Sequence, residues 1–278
     1  MTSSRCADLS VAAGEPISAT ATNALNWLLV EVCGTWPRDV SDLGGFDSAS
    51  RTAMTTWLEQ TPFSRVLFVR RPGGVREQRM VFVVHASEDE PLVRRLELNG
   101  DGFDPARGGD EVSSPLVLVC GHGTRDACCA LRGSAVFGAL RQTVPPDDLW
   151  LSSHQGGHRF AANVLVLPVG IQLGRVTPDD AADVVGDALQ GRIALEHYRG
   201  RVAYTAREQA AEAAVRESHG LVRATDVRLV GDDGTRVAFR DVDGNELVAV
   251  PHDVAGPAVP ASCGAEPEPQ RHYAARVS

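Results

Sequence analysis

The chain is 278 residues long, 43% hydrophobic, with a formal net charge of −9, enough for one large core or two smaller ones. An acidic balance without a basic, aromatic-interleaved patch argues against a nucleic-acid partner. No apolar run reaches the roughly 18 residues of a membrane span.

The opening stretch MTSSRCADLS has neither the basic start nor the apolar run of a secretory signal, so a cytoplasmic protein is expected. Apolar alternation predicts strands at 25–31 (LNWLLVE), 65–70, 79–85 and 91–98. A helix is expected over 48–60, capped by Ser48 or Ser50. The Gly-, Asp-, Pro- and Ser-dense stretch 99–115 marks the best domain boundary. Beyond it, PLVLVC (115–120) reads as a buried strand, 129–142 as a helix whose Gly133 and Gly138 permit close packing, and 148–153 and 161–169 as strands. A helix over 177–191 is punctuated by Thr177, Pro178 and Gly191.

Another helix over 205–219 precedes short alternating runs separated by DDG (232–234) and DG (243–244), which are hairpin signals. The last 20 residues, rich in Pro, Ala and Glu, are expected to be loosely ordered. The fold class is therefore α/β: an N-terminal α/β unit (1–108), a thioredoxin-like unit (109–200) and a C-terminal helix-plus-β appendage (201–278). The first unit has a strand–helix order similar to the second, with no shared motif to mark it as a copy.

The chemistry gathers in the second unit. Its first strand ends at Cys120, and the loop CGHGTRDACC (120–129) runs into the next helix; SSHQGGH (152–158) leaves the end of a neighbouring strand. Gly156 and Gly157 argue against a helix that would set His154 and His158 on one face. Loops leaving the same ends of neighbouring parallel strands lie side by side, where α/β sheets hold ligands. Two thiolates and two imidazoles would converge there, a set that suits zinc or an iron–sulfur cluster. The nine-residue cysteine spacing is poor for a structural zinc knuckle. Cysteines in one loop and histidines in another differ from the interleaved Rieske pattern.

The segments CGHGTRDACCALRG (120–133), WLSSHQGGHRFAANVLVLPVG (150–170), GRV (174–176), YRGR (198–201) and NWLLVEVCGTW (26–36) resemble the sucrase/ferredoxin-like proteins. The resemblance implies a thioredoxin-like ferredoxin holding a 2Fe–2S cluster on Cys120, Cys129, His154 and His158. Arg125, Asp126, Arg159 and Asn163 are then candidates for orienting the ligands or donating to sulfur. Cys128 is a small buried residue or a spare ligand, and His122 a solvent-facing loop residue or a donor. Cys6, Cys33 and Cys263 are treated as structural or incidental, and His85, His197, His219, His252 and His272 carry no assignment. No carboxylate pair for glycoside hydrolysis is recognisable.

Neutral imidazoles in place of thiolates should raise the potential above the about −400 mV of plant-type ferredoxins, toward the Rieske range of about −150 to +300 mV. The expectation is an electron carrier, with proton coupling through the imidazoles, between a reductase and an acceptor protein. No nucleotide motif of its own is present. The rivals are a zinc protein with the same four ligands and a thiol redox enzyme using Cys128 and Cys129.

Overall fold

The computed structural model describes residues 5–40, 46–71, 79–98 and 103–278. Residues 99–102 of the expected boundary lie outside these. The N-terminal alternation forms β1 (Asn26–Glu31), β2 (Ser64–Arg70), β3 (Arg79–His85) and β4 (Leu92–Leu98), with β5 (Asp110–Glu111) at the edge. Helix α1 (Cys6–Ala12) precedes them, and α2 (Ser48–Gln60) joins β1 to β2. Asp47 caps α2, accepting from the Ser50 N–H at 2.7 Å, so Ser48 and Ser50 lie inside the helix they were expected to cap.

The second half supplies β6 (Leu116–Cys120), α3 (Ala127–Leu140), β7 (Leu149–Ser152), β8 (Val164–Leu167), β9 (Ile171–Leu173), α4 (Ala181–Leu189) and β10 (Tyr198–Arg201). The run expected as one strand over 161–169 is cut short at Pro168, and the chain turns back as β9. α4 runs from Ala181, and the expected cap stands one turn earlier: Thr177 and Asp180 bond to each other's backbone N–H, and the Ala181 N–H donates to the Thr177 carbonyl at 3.0 Å.

One ten-stranded sheet holds both halves, in the order β10-β9-β8-β6-β7-β2-β1-β3-β4-β5. Its register crosses position 109 through β2 and β7, where Val69 faces Ser152. In the second half β6 is parallel to β7 and antiparallel to β8, and β8 is antiparallel to β9. This is the thioredoxin-type layout. The first half repeats it: β1 is parallel to β2 and antiparallel to β3, and β3 is antiparallel to β4.

Alternating side chains sort the core. Val117, Val119, Val164 and Val166 pack under α3 and α4, and Leu28, Val30, Val66 and Phe68 pack under α2. The intervening residues of both halves meet each other, with Trp27, Leu29 and Leu67 against Leu118, Trp150 and Leu165.

The C-terminal residues form α5 (Ala206–His219), capped by Thr205 and Glu208, and a sheet in the order β11 (Val227–Asp232), β12 (Val237–Asp241), β13 (Glu246–Pro260), β14 (Pro267–Val277). The expected loose tail is thus a strand paired with β13 from Ala249–Val277 to Pro260–Pro267. Its prolines are tolerated because beyond Ala249 the hairpin is only two strands wide, so each strand has an edge that needs no N–H donor.

Candidate metal centre

The apolar run Leu116–Cys120 is wholly buried and ends on Cys120. Asp126 then caps α3, accepting from the Cys128 N–H at 2.7 Å. α3 lies directly on the end of β6 because residue 133 is glycine: a Cβ there would be 2.0 Å from the Cys120 carbonyl oxygen. Gly138 plays no such part, since nothing lies within 4 Å of a Cβ at that position. The result sets Cys129, in the first turn of α3, against Cys120. The ligating atoms of Cys120, Cys129 and His154 lie within 4.8 Å of one another, and so do those of Asp126, Cys129 and His158.

The histidine loop is pinned from several sides. Ser153 exchanges two bonds with Phe68 of β2, its N–H donating to the carbonyl at 2.7 Å and its hydroxyl accepting from the Phe68 N–H at 3.0 Å. Arg65 donates to the His154 carbonyl at 2.9 Å. Gly156 and Gly157 take positive φ of 94° and 68°, a conformation that favours glycine. Arg199, buried on β10, donates to the Gly156 carbonyl at 3.0 Å and to Asn163 Oδ1 at 2.9 Å. Asn163 in turn donates to the Gly157 carbonyl at 3.0 Å. So held, the two imidazoles stack with centroids 3.8 Å apart at 17°, and His158 Nδ1 lies 3.5 Å from Cys129 Sγ.

His122 is not the solvent-facing residue that was one of its two expectations; it is the other, a donor held inside beside the site. It is 1% exposed, its Nε2 donating to the Pro37 carbonyl at 2.8 Å and its Nδ1 accepting from the His154 N–H at 3.0 Å. Both ring nitrogens are committed, so His122 positions His154 rather than competing with it. Trp36 meets the ring edge-on at 5.7 Å.

Of the other candidates, Asp126 and Asn163 are in contact with the pocket loops as described. Arg125 is half-buried, and its positive charge opposes protonation of His122 and His158. Arg159 turns away to Glu15 at 2.6 Å. Cys128 also points away from Cys129, into a group with Cys6 and Cys263 that sequence distance gave no reason to expect. Arg65 and Arg199 went unrecognised as supports. Arg199 sat in the quoted YRGR stretch, but nothing there marked it as a strand beneath the loop.

Without a metal, the pocket favours the ligating form at Cys120 and His158 and keeps Cys129 as a thiol. The Cys129 thiol donates to Cys120, which together with His154 and the Gln155 N–H holds Cys120 well below the usual thiol range. Cys129 is pushed up by the same bond and by burial. Burial, aided by His154, brings His158 down to about 4, so it is neutral at pH 7, the form that binds metal. Arg199, lowered to about 9 chiefly by burial, keeps its charge at neutral pH. His154 Nδ1 is buried with no hydrogen-bond partner among the described residues.

Strand order and pocket together define a thioredoxin-like α/β protein with a cysteine–histidine centre at the strand ends. The profile of the sucrase/ferredoxin-like family matches residues 17–200, and the chain belongs to that family. Among curated proteins it is similar to altered inheritance of mitochondria protein 32. The Meyerozyma guilliermondii protein is 32% identical over 102 residues, 33% of this chain and 36% of that protein. The Debaryomyces hansenii protein is 32% identical over 102 residues, 33% and 37% of the two chains. The Saccharomyces cerevisiae protein is 33% identical over 98 residues, 31% and 32%. The chain thus spans about a third of the length of these relatives. No solved structure gives a significant match. No helix among the described residues is long and apolar enough to cross a membrane.

Proposed function

We propose that Cys120, Cys129, His154 and His158 hold a 2Fe–2S cluster, and that the protein carries single electrons between a reductase and an acceptor protein in the cytoplasm. The carrying observation is the convergence of two buried cysteines on two stacked imidazoles, with the buried His154 Nδ1 left unpartnered. A polar atom in that position is costly unless something binds it. Two sulfurs and two nitrogens form a donor set that suits iron–sulfur ligation. Such a cluster, when bound, takes up and returns one electron.

The residues around it have definable tasks. His122, Arg65 and Arg199 fix the histidine loop through its backbone, so the imidazoles are presented without a search through rotamers. Arg199 and Arg65 place positive charge near Cys120 and favour its thiolate. Two imidazoles in place of two thiolates make the centre two charges less negative, which raises its potential. The net charge of −9 suits docking to a basic reductase face.

Absorption spectra of protein purified without air, with iron and sulfide analysis, test this. A red-brown sample that bleaches with dithionite is expected, with bands that shift in both His154→Cys and His158→Cys. Each added thiolate should move the potential toward the about −400 mV of all-cysteine plant-type ferredoxins. A colourless sample carrying zinc at these four residues, without iron or sulfide, would overturn the proposal.

A further inference from the structure

A second group of metal-ligating side chains lies beside the pocket and shares only Asp126 with it. Cys6 Sγ is 3.6 Å from Cys128 Sγ, Cys128 Sγ is 3.3 Å from Cys263 Sγ, and Cys263 Sγ is 3.6 Å from Cys6 Sγ. The Asp126 carboxylate stands 3.8 and 4.0 Å from Cys6 Sγ. Three distant parts of the chain build this group: the start of α1, the first turn of α3, and the tip of the β13–β14 hairpin. Cys6 and Cys263 fall outside the family match at 17–200, so the family's own segment holds only part of it.

We propose that Cys6, Cys128 and Cys263, with Asp126 as fourth ligand, bind one zinc ion that clasps α1 and the hairpin tip to the start of α3. Zinc–sulfur bonds of about 2.3 Å in a tetrahedron place sulfurs about 3.8 Å apart, and the observed triangle is within a few tenths of an ångström of that. Sulfurs this close share a single ion; they are too near to sit on the separate irons of a cluster. Three thiols are also an odd number, so pairing any two as a disulfide strands the third in a buried site.

The surroundings suit an anionic metal site. Asp126 is held on both oxygens, Oδ1 by the Cys128 N–H at 2.7 Å and Oδ2 by the Cys263 N–H at 2.8 Å. Each oxygen keeps a lone pair free for a metal. The Ala7 N–H donates to the Cys128 sulfur, the kind of second contact that steadies a bound thiolate. The N-terminus of the 14-residue α3 adds its partial positive charge to the thiolates and the carboxylate. Cys6 and Cys128 are fully buried and Cys263 is half-buried, which leaves the hairpin tip as the route of entry. Thiolates with one carboxylate favour zinc over the hard cations magnesium and calcium.

The site does not depend on what the neighbouring pocket holds, and its test separates the two. Full-length protein, with Cys6→Ser, Cys263→Ser and Cys120→Ser variants, is analysed for zinc. Each is then stripped and titrated with cobalt(II), whose sulfur charge-transfer bands report thiolate ligation. One zinc per chain is expected in the wild type and in Cys120→Ser. Zinc should fall at least tenfold in Cys6→Ser and Cys263→Ser, while iron at the pocket is retained in Cys263→Ser. Because a variant can misfold, thiol alkylation of the wild type mapped by mass supplies a second reading: Cys6, Cys128 and Cys263 should become reactive only when zinc is chelated, under conditions that leave the pocket's iron in place. No zinc or cobalt binding by the wild type, equal binding by all variants, or a Cys128–Cys263 disulfide by mass would overturn the proposal.

Discussion

Gly133→Ala is expected to part the two cysteines of the pocket without touching either. The new Cβ would meet Cys120 backbone, its oxygen at 2.0 Å and its carbon at 3.0 Å, and no rotamer change relieves a clash with main chain. α3 must therefore back away from the end of β6 and take Cys129 with it. Overpacking of this kind costs about 1–3 kcal/mol, and metal ligands tolerate shifts of only about 0.2 Å. The urea midpoint should fall and iron should drop well below the wild-type content. Gly138→Ala is the control, because its Cβ meets nothing within 4 Å and alanine favours the helix by about 1 kcal/mol. A Gly133→Ala protein with wild-type stability and full iron would show that this glycine does not set the spacing.

A larger loss of stability is expected at a residue well away from the pocket. Glu212 of α5 is fully buried and accepts from Tyr198 Oη at 2.7 Å, Arg201 Nε at 3.0 Å and Arg216 Nη2 at 2.9 Å. Glu212→Ala leaves two buried guanidiniums facing each other and should cost about 3–5 kcal/mol in urea unfolding. Tyr198 and Arg201 flank Arg199 on β10, so the histidine loop should loosen as well, with slower or incomplete iron uptake. Burial alone would raise the Glu212 carboxyl, but Arg216 and Arg201, with Tyr198, outweigh it and hold it below its ordinary value. A carboxyl lowered in the folded state contributes stability that is full above its ordinary range and lost as pH falls through the native value. The wild type should therefore lose stability below about pH 4 more steeply than Glu212→Ala. Parallel acid profiles would remove the carboxylate from the account.

Elements that alternation or turn residues specify locally were legible: β1 to β4, β6 to β8, the helix α5, and the turns at Gly234 and Gly244. The placement of Cys120, Cys129, His154 and His158 in facing loops also followed from strand order, because neighbouring strand ends are fixed by topology. What escaped is non-local. His122 stood as either an exposed loop residue or a donor, and only the contacts with Pro37 and the His154 backbone, which draw it inside, decide between them. The β13–β14 hairpin was hidden by prolines that matter little on an open edge. Cys6 and Cys263 appeared unrelated to Cys128 because spacing along a chain carries no information about a hairpin tip that folds back onto a helix start.

That last contact also sets an order of events. Residues 257 positions apart meet at Cys6 and Cys263, and a growing chain presents them at opposite times. His158, the last of the pocket's four residues, precedes Cys263 by roughly 5 to 20 s at ordinary rates of synthesis. Through that interval α1, which packs on the His158–Phe160 turn, has its helix start unlatched. The arrival of the hairpin tip closes it. Completion of the pocket's four residues and arrival of the hairpin tip are thus separate moments of synthesis.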